Sequence, residues 1–77
     1  MNLDEIKQLL AAQLDGCQIE VEAEGNHLTV SAVGELFAGL RTLKRQQLIY
    51  GALSELIADG TIHAVHMTTL TPEEAGQ

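Results

Sequence analysis

The side chains in this chain best suited to binding a metal are three histidines and one cysteine: His27, His63, His66 and Cys17. Neutral imidazole is a good donor to zinc, copper and iron. No two histidines stand four apart on a helical pattern and no Cys-x-x-Cys occurs, so spacing alone defines no closed metal site. His27 follows the turn sequence Gly25-Asn26, and His63 opens an apolar, β-branched run. A third strand lying beside the hairpin would bring these two ends together. Taken singly, each histidine reads more simply as a polar residue at the rim of a small sheet. His66 falls on the opposite strand face from His63, which strengthens that plain reading there. Cys17 shares the apolar parity of Ile19 and Val21 and reads as a small buried hydrophobe.

A second constellation is basic. Arg41, Lys44 and Arg45 hold most of the positive charge of the chain, at helical spacing, with Gln46 and Gln47 extending the patch. Cations are unfavourable at a helix N-terminus. Their concentration there, in an acidic protein, points to an anionic partner, against the plainer alternative of a solvated patch. Catalytic constellations are absent. Ser31 and Ser54 lack a G-x-S-x-G context, and no P-loop or dinucleotide fingerprint occurs. The expectation is a binding protein, not an enzyme.

The elements that must position these residues follow from periodicity. Asn2 and Glu5 form a capping-box sequence, and Leu3, Ile6, Leu10 and Leu14 make one apolar stripe, predicting a helix from Leu3 to Asp15 before Gly16. Cys17, Ile19, Val21 and Ala23 then alternate with Gln18, Glu20, Glu22 and Glu24, predicting a strand with one carboxylate-lined face. After Gly25-Asn26, a second strand runs from His27 to Val33 with Leu28, Val30 and Ala32 inward. Thr42 is the expected cap of a long helix reaching Asp59, with Leu43, Ile49, Leu53, Leu56 and Ile57 as its core face. Thr61 to Leu70 reads as a third strand, and Thr71-Pro72-Glu73-Glu74 as a capping box opening a helical stub. A hairpin followed by a helical crossover predicts an α+β domain: a small three-stranded mixed sheet with helices on one face.

Composition narrows the class further. The chain has 77 residues, enough for one domain spanning residues 1–77, and a formal net charge of −7. A single Cys excludes an internal disulfide, and no apolar run approaches the roughly 20 residues that span a bilayer. The acidic start, Met1-Asn2-Leu3-Asp4-Glu5, lacks the basic and apolar regions of a signal peptide, so a cytoplasmic setting is expected. The acidic balance disfavours a general polyanion binder.

The run from Val33 to Tyr50, containing Val-Gly-Glu-Leu-Phe, Arg41, Arg45 and Gln46-Gln47, resembles the BolA-like proteins, most of all their IbaG branch. The likeness continues through Ile62-His63-Ala64-Val65, Thr71-Pro72-Glu73 and the hairpin Glu24-Gly25-Asn26-His27. It implies a type II KH-like fold, α-β-β-α-β with a short C-terminal helical stub. It also implies a heterodimer with a monothiol glutaredoxin, sharing a [2Fe–2S] cluster between the two proteins. In that family the glutaredoxin cysteine and glutathione supply thiolates, and the BolA-like protein supplies the His of I-H-A, here His63, with a hairpin-loop ligand, here His27. No cluster is then expected on the isolated chain, as a monomer or weak homodimer. Arg41, Lys44, Arg45 and Gln46 would dock the partner. The alternative is a KH-like transcriptional regulator that binds DNA. Against it, the G-x-x-G clamp of KH domains is missing. Many relatives carry Arg-His-Arg where this chain has Arg45-Gln46-Gln47, and a Trp after the T-P-x-E segment that is absent here.

Overall fold

The computed structural model describes residues 2–76. Helix α1 spans Leu3–Gln13. Asn2 opens it, its side-chain oxygen accepting from the Glu5 amide at 3.1 Å, and Ile6, Leu10 and Leu14 turn inward. The helix ends before the expected Asp15 because Leu14 has already left helical geometry. Gly16, at φ +75°, then makes the left-handed bend that only glycine adopts without strain.

Strands β1 (Gln18–Glu24) and β2 (His27–Val33) form an antiparallel hairpin closed by the pair Glu24–His27. Gly25 at φ +63° precedes Asn26 at negative φ, the arrangement of a primed hairpin turn with glycine first. Alternation fixes the faces: Leu28, Val30 and Ala32 are fully buried, while Glu20, Glu22 and Glu24 stay exposed; Ala23, near the hairpin tip, is exposed too, contrary to its parity.

After β2, a 3₁₀ turn at Glu35–Phe37 drops the Phe37 ring into the core. A Cβ at Gly34 would collide with the Cys17 side chain, so β1 approaches the β2 exit through the space a side chain would fill. Helix α2 spans Thr42–Ala58. Thr42 is not its cap. Arg41 holds the extended cap position, without a side-chain bond, and its carbonyl accepts from the Arg45 amide. The core face is Ile49 and Leu53, with Leu56 and Ile57 packed beside them. Leu43 is 67% exposed, contrary to expectation. It lies six residues from Ile49, about 240° around the helix, outside the arc set by spacings of three and four.

Strand β3 is Ala64–Leu70, shorter than the expected strand from Thr61. The Thr61 amide donates to the Asp59 carboxylate, and Ile62 is buried with its amide donating to the Leu56 carbonyl, so the chain joins the sheet only after His63. The sheet order is β1-β2-β3, with β3 parallel to β2. The helices pack on one face of this mixed sheet, and the three-stranded α+β arrangement expected from the sequence is observed. No helix among the described residues is long and apolar enough to cross a membrane.

The C-terminal stub is a single turn. Its capping box is complete, with the Glu74 amide donating to Thr71 Oγ1 and the Thr71 amide to Glu74 Oε1. Backbone bonds from the Ala75 amide to the Thr71 carbonyl and from the Gly76 amide to the Glu73 carbonyl close the turn, and no helix follows among the described residues. Arg45 clips this turn to the body. Its Nε donates to the Leu40 carbonyl, Nη1 donates to the Thr69 carbonyl and to Glu74 at 2.7 Å, and the guanidinium lies 5.8 Å from the Phe37 ring centre.

Two consequences are measurable. Gly34→Ala should destabilise the fold by about 1–3 kcal/mol, as overpacking does, with partial recovery when Cys17→Ala is added. Urea unfolding reads both. The Arg45 guanidinium, and secondarily the Thr71 amide, hold the Glu74 carboxyl below the ordinary glutamate range. Its folded value is the lower one, so its contribution is complete above the unfolded value and is lost as pH falls through the folded one. Acidification through that window should release the C-terminal turn, seen in the Thr71 and Ala75 amide resonances. Glu74→Gln should remove that pH dependence.

Candidate functional site

The parallel ladder begins with His27 opposite Ala64. His63 therefore lies one residue outside that pair, against the tip of the hairpin. Its amide donates to the Asn26 carbonyl at 2.8 Å, and its ring Nδ1 is hydrogen-bonded by the Asn26 side-chain amide. All three histidines are exposed. The backbone segments carrying His27 and His63, 36 positions apart in sequence, thus meet at one end of the sheet.

His27 is on the open face, and strand parity places His66 there too, through the pair Thr29–His66. A shallow depression of about 210 Å³ on that face is lined by Glu22, Glu24, His27, Thr29 and His66. His63, which precedes β3, does not line this depression. The association of His66 with His27 follows only when β2 and β3 are known to be parallel and in this register. Among the described residues, no three His, Cys, Asp or Glu side chains are grouped so as to hold a metal ion.

Cys17 is half-buried against the core and Gly34. Burial, with the Asp15 carboxylate second, raises its thiol pKa. A protonated thiol is a poor ligand at neutral pH.

The basic cluster divides. Arg45 is committed to the Leu40 and Thr69 carbonyls and to Glu74, with its side chain only 12% exposed. Arg41 and Lys44 are exposed and, among the described residues, form no ion pair. Gln46 is half-buried. From Leu36 to Ser54 the chain has no acidic residue, although its net charge is −7. Leu43 and Tyr50, the latter 44% exposed, lie on the same helix. The result is a cationic and apolar surface on an otherwise acidic protein.

The sequence and the fold both recur in known proteins. The family model described as BolA-like protein covers residues 7–74. The acid stress protein IbaG of Escherichia coli K12 is 45% identical over 74 residues, covering 96% of this chain and 88% of IbaG. A BolA homologue from Coxiella burnetii superposes with a TM-score of 0.80 at 28% identity, covering 100% of this chain and 99% of the other. BolA1 from Arabidopsis thaliana superposes with a TM-score of 0.81 at 26% identity, covering 92% of each chain. With a family match over nearly the whole sheet-and-helix core, the chain belongs to the BolA-like family.

Proposed function

We propose that this protein is the partner of a monothiol glutaredoxin, and that the two jointly hold a [2Fe–2S] cluster for cluster trafficking or for iron, redox or acid-stress sensing. The observation that carries this reading is the meeting of the His63 and His27 segments at one exposed end of the sheet. A [2Fe–2S] cluster takes four ligands, ordinarily thiolates. Two histidines from this chain and two thiolates from outside, one from the glutaredoxin and one from glutathione, complete that number. The donor set fits: the imidazoles are exposed, nitrogen donors suit iron, and the only thiol of the chain is half-buried against the core, where burial raises its pKa. The name of the Escherichia coli relative supports a stress-response setting. No catalytic step is needed for this role.

Docking in this reading is electrostatic. Arg41 and Lys44 are available to an acidic partner surface, with Leu43 beside them for apolar contact, and Gln46 is less accessible. Arg45 holds the fold together and contributes little at the surface. The DNA-binding alternative is weakened by the same division. The two exposed cations of the basic cluster give a salt slope of only about −2.

His63→Ala should abolish the visible circular dichroism peculiar to the mixed complex while the spectrum of the glutaredoxin homodimer survives. His27→Ala should weaken or alter it. Wild-type spectra from both variants would exclude these ligands. Imidazole ligation also makes the site acid-sensitive, since a protonated histidine cannot bind iron. Reversing both charges, Arg41→Glu with Lys44→Glu, should slow association with the glutaredoxin about tenfold at low salt and less at high salt. Unchanged association together with lost duplex binding would favour the DNA reading.

A further inference from the structure

The hairpin tip holds His63 at two points. The Asn26 carbonyl accepts from the His63 amide, and the Asn26 side chain bonds ring Nδ1. Asn26 is itself fixed, because it occupies a two-residue turn closed by the Glu24–His27 pair. One imidazole nitrogen is therefore engaged within the protein, leaving Nε2 as the free ring nitrogen.

We propose that Asn26 is the positioning residue for His63, selecting Nε2 as its metal-binding atom and supplying the acceptor that ligation requires at Nδ1. This rests on the reading of His63 as a cluster ligand. A neutral imidazole carries one N–H and one lone pair. Binding through Nε2 puts the proton on Nδ1, and that proton needs an acceptor. Metal-bound histidines commonly donate their second N–H to a carbonyl or carboxylate, which fixes ring orientation and tautomer. The Asn26 amide can serve both states. With its NH₂ toward the ring it donates to a bare Nδ1, and rotated by half a turn it accepts from Nδ1–H through Oδ1. In the change, Nε2 gives a proton to solvent and Nδ1 takes one from solvent, so the ring stays neutral. A carboxylate here could only accept, and an alkyl side chain could do neither.

The test has a metal-free arm and a loaded arm. Long-range ¹H–¹⁵N spectra of the full chain, labelled in histidine and recorded where the imidazoles are neutral, report the tautomer of each ring. Asn26→Asp should convert His63 to the Nδ1–H form while His27 and His66 keep theirs, and Asn26→Ala should remove the hydrogen-bond shift at Nδ1. A His63 ring identical in all three proteins overturns the proposal. In the loaded arm each protein is mixed with cluster-loaded monothiol glutaredoxin. Asn26→Asp should retain the mixed-complex spectrum, and Asn26→Ala should weaken cluster retention about tenfold or more. Wild-type retention in Asn26→Ala, while His63→Ala abolishes the complex, overturns the positioning role and leaves the ligand reading intact. If His63→Ala also retains the complex, the ligand reading has failed and the proposal with it, whatever the metal-free spectra report.

Discussion

The parallel pairing of β3 with β2 is the constraint on which the rest of the structure depends. Parallel neighbours cannot be joined by a tight turn, so the chain must cross the sheet between them, and α2 with its flanking loops is that crossing. The crossing leaves β2 at Val33 and returns the chain to the opposite end of that strand, beside His27. That end is also the hairpin tip, and this is how residue 63 comes to lie beside residue 26. The register is set by β2, whose Leu28, Val30 and Ala32 are all buried. A slip of one residue would expose that row and bury His27. Core packing and site geometry therefore have the same cause.

Charge is organised by the same architecture. One sheet face must pack the helices, so the glutamates alternating along β1 are left on the other, wet face. The stretch from Leu36 to Ser54 is free of acids and carries three of the cations. Burial then removes one of these from the surface, because Arg45 ties α2, the end of β3 and the C-terminal turn together. What remains at the surface is Arg41 and Lys44 with an exposed Leu43, a smaller and more amphipathic patch than the sequence pattern alone suggests.

Much of the fold was legible because its signals are local. Period-two alternation located β1 and β2 and assigned their faces, and Asn2 and Gly16 marked the ends of α1. The misreadings arose where long-range contacts decide. Thr42 looked like a cap, but a cap is defined by backbone geometry, and Arg41 has it. Leu43 looked like core because it is apolar, although its angular distance from Ile49 argued otherwise. The start of β3 was placed too early because Ile62 is apolar for a different reason, burial under the end of α2. The site was legible only in part. His63 and His27 could be named from resemblance, and their approach followed from the strand order. The bond from Asn26 to His63 and the sharing of a face by His27 and His66 depend on a register that no single segment encodes.

The central claim is that this chain contributes nitrogen, through His63 and His27, to a cluster whose remaining ligands are thiolates from outside. Imidazole in place of thiolate lowers the negative charge at the iron it binds and raises the reduction potential, as in Rieske centres. The most direct measurement is pulsed electron paramagnetic resonance of the reduced mixed complex, with ¹⁵N-histidine introduced into this chain alone. The account predicts strong hyperfine couplings that change on isotope substitution, from two directly bound nitrogens. Spectra that are the same for ¹⁴N and ¹⁵N would mean that no histidine of this protein touches the cluster, and would contradict it.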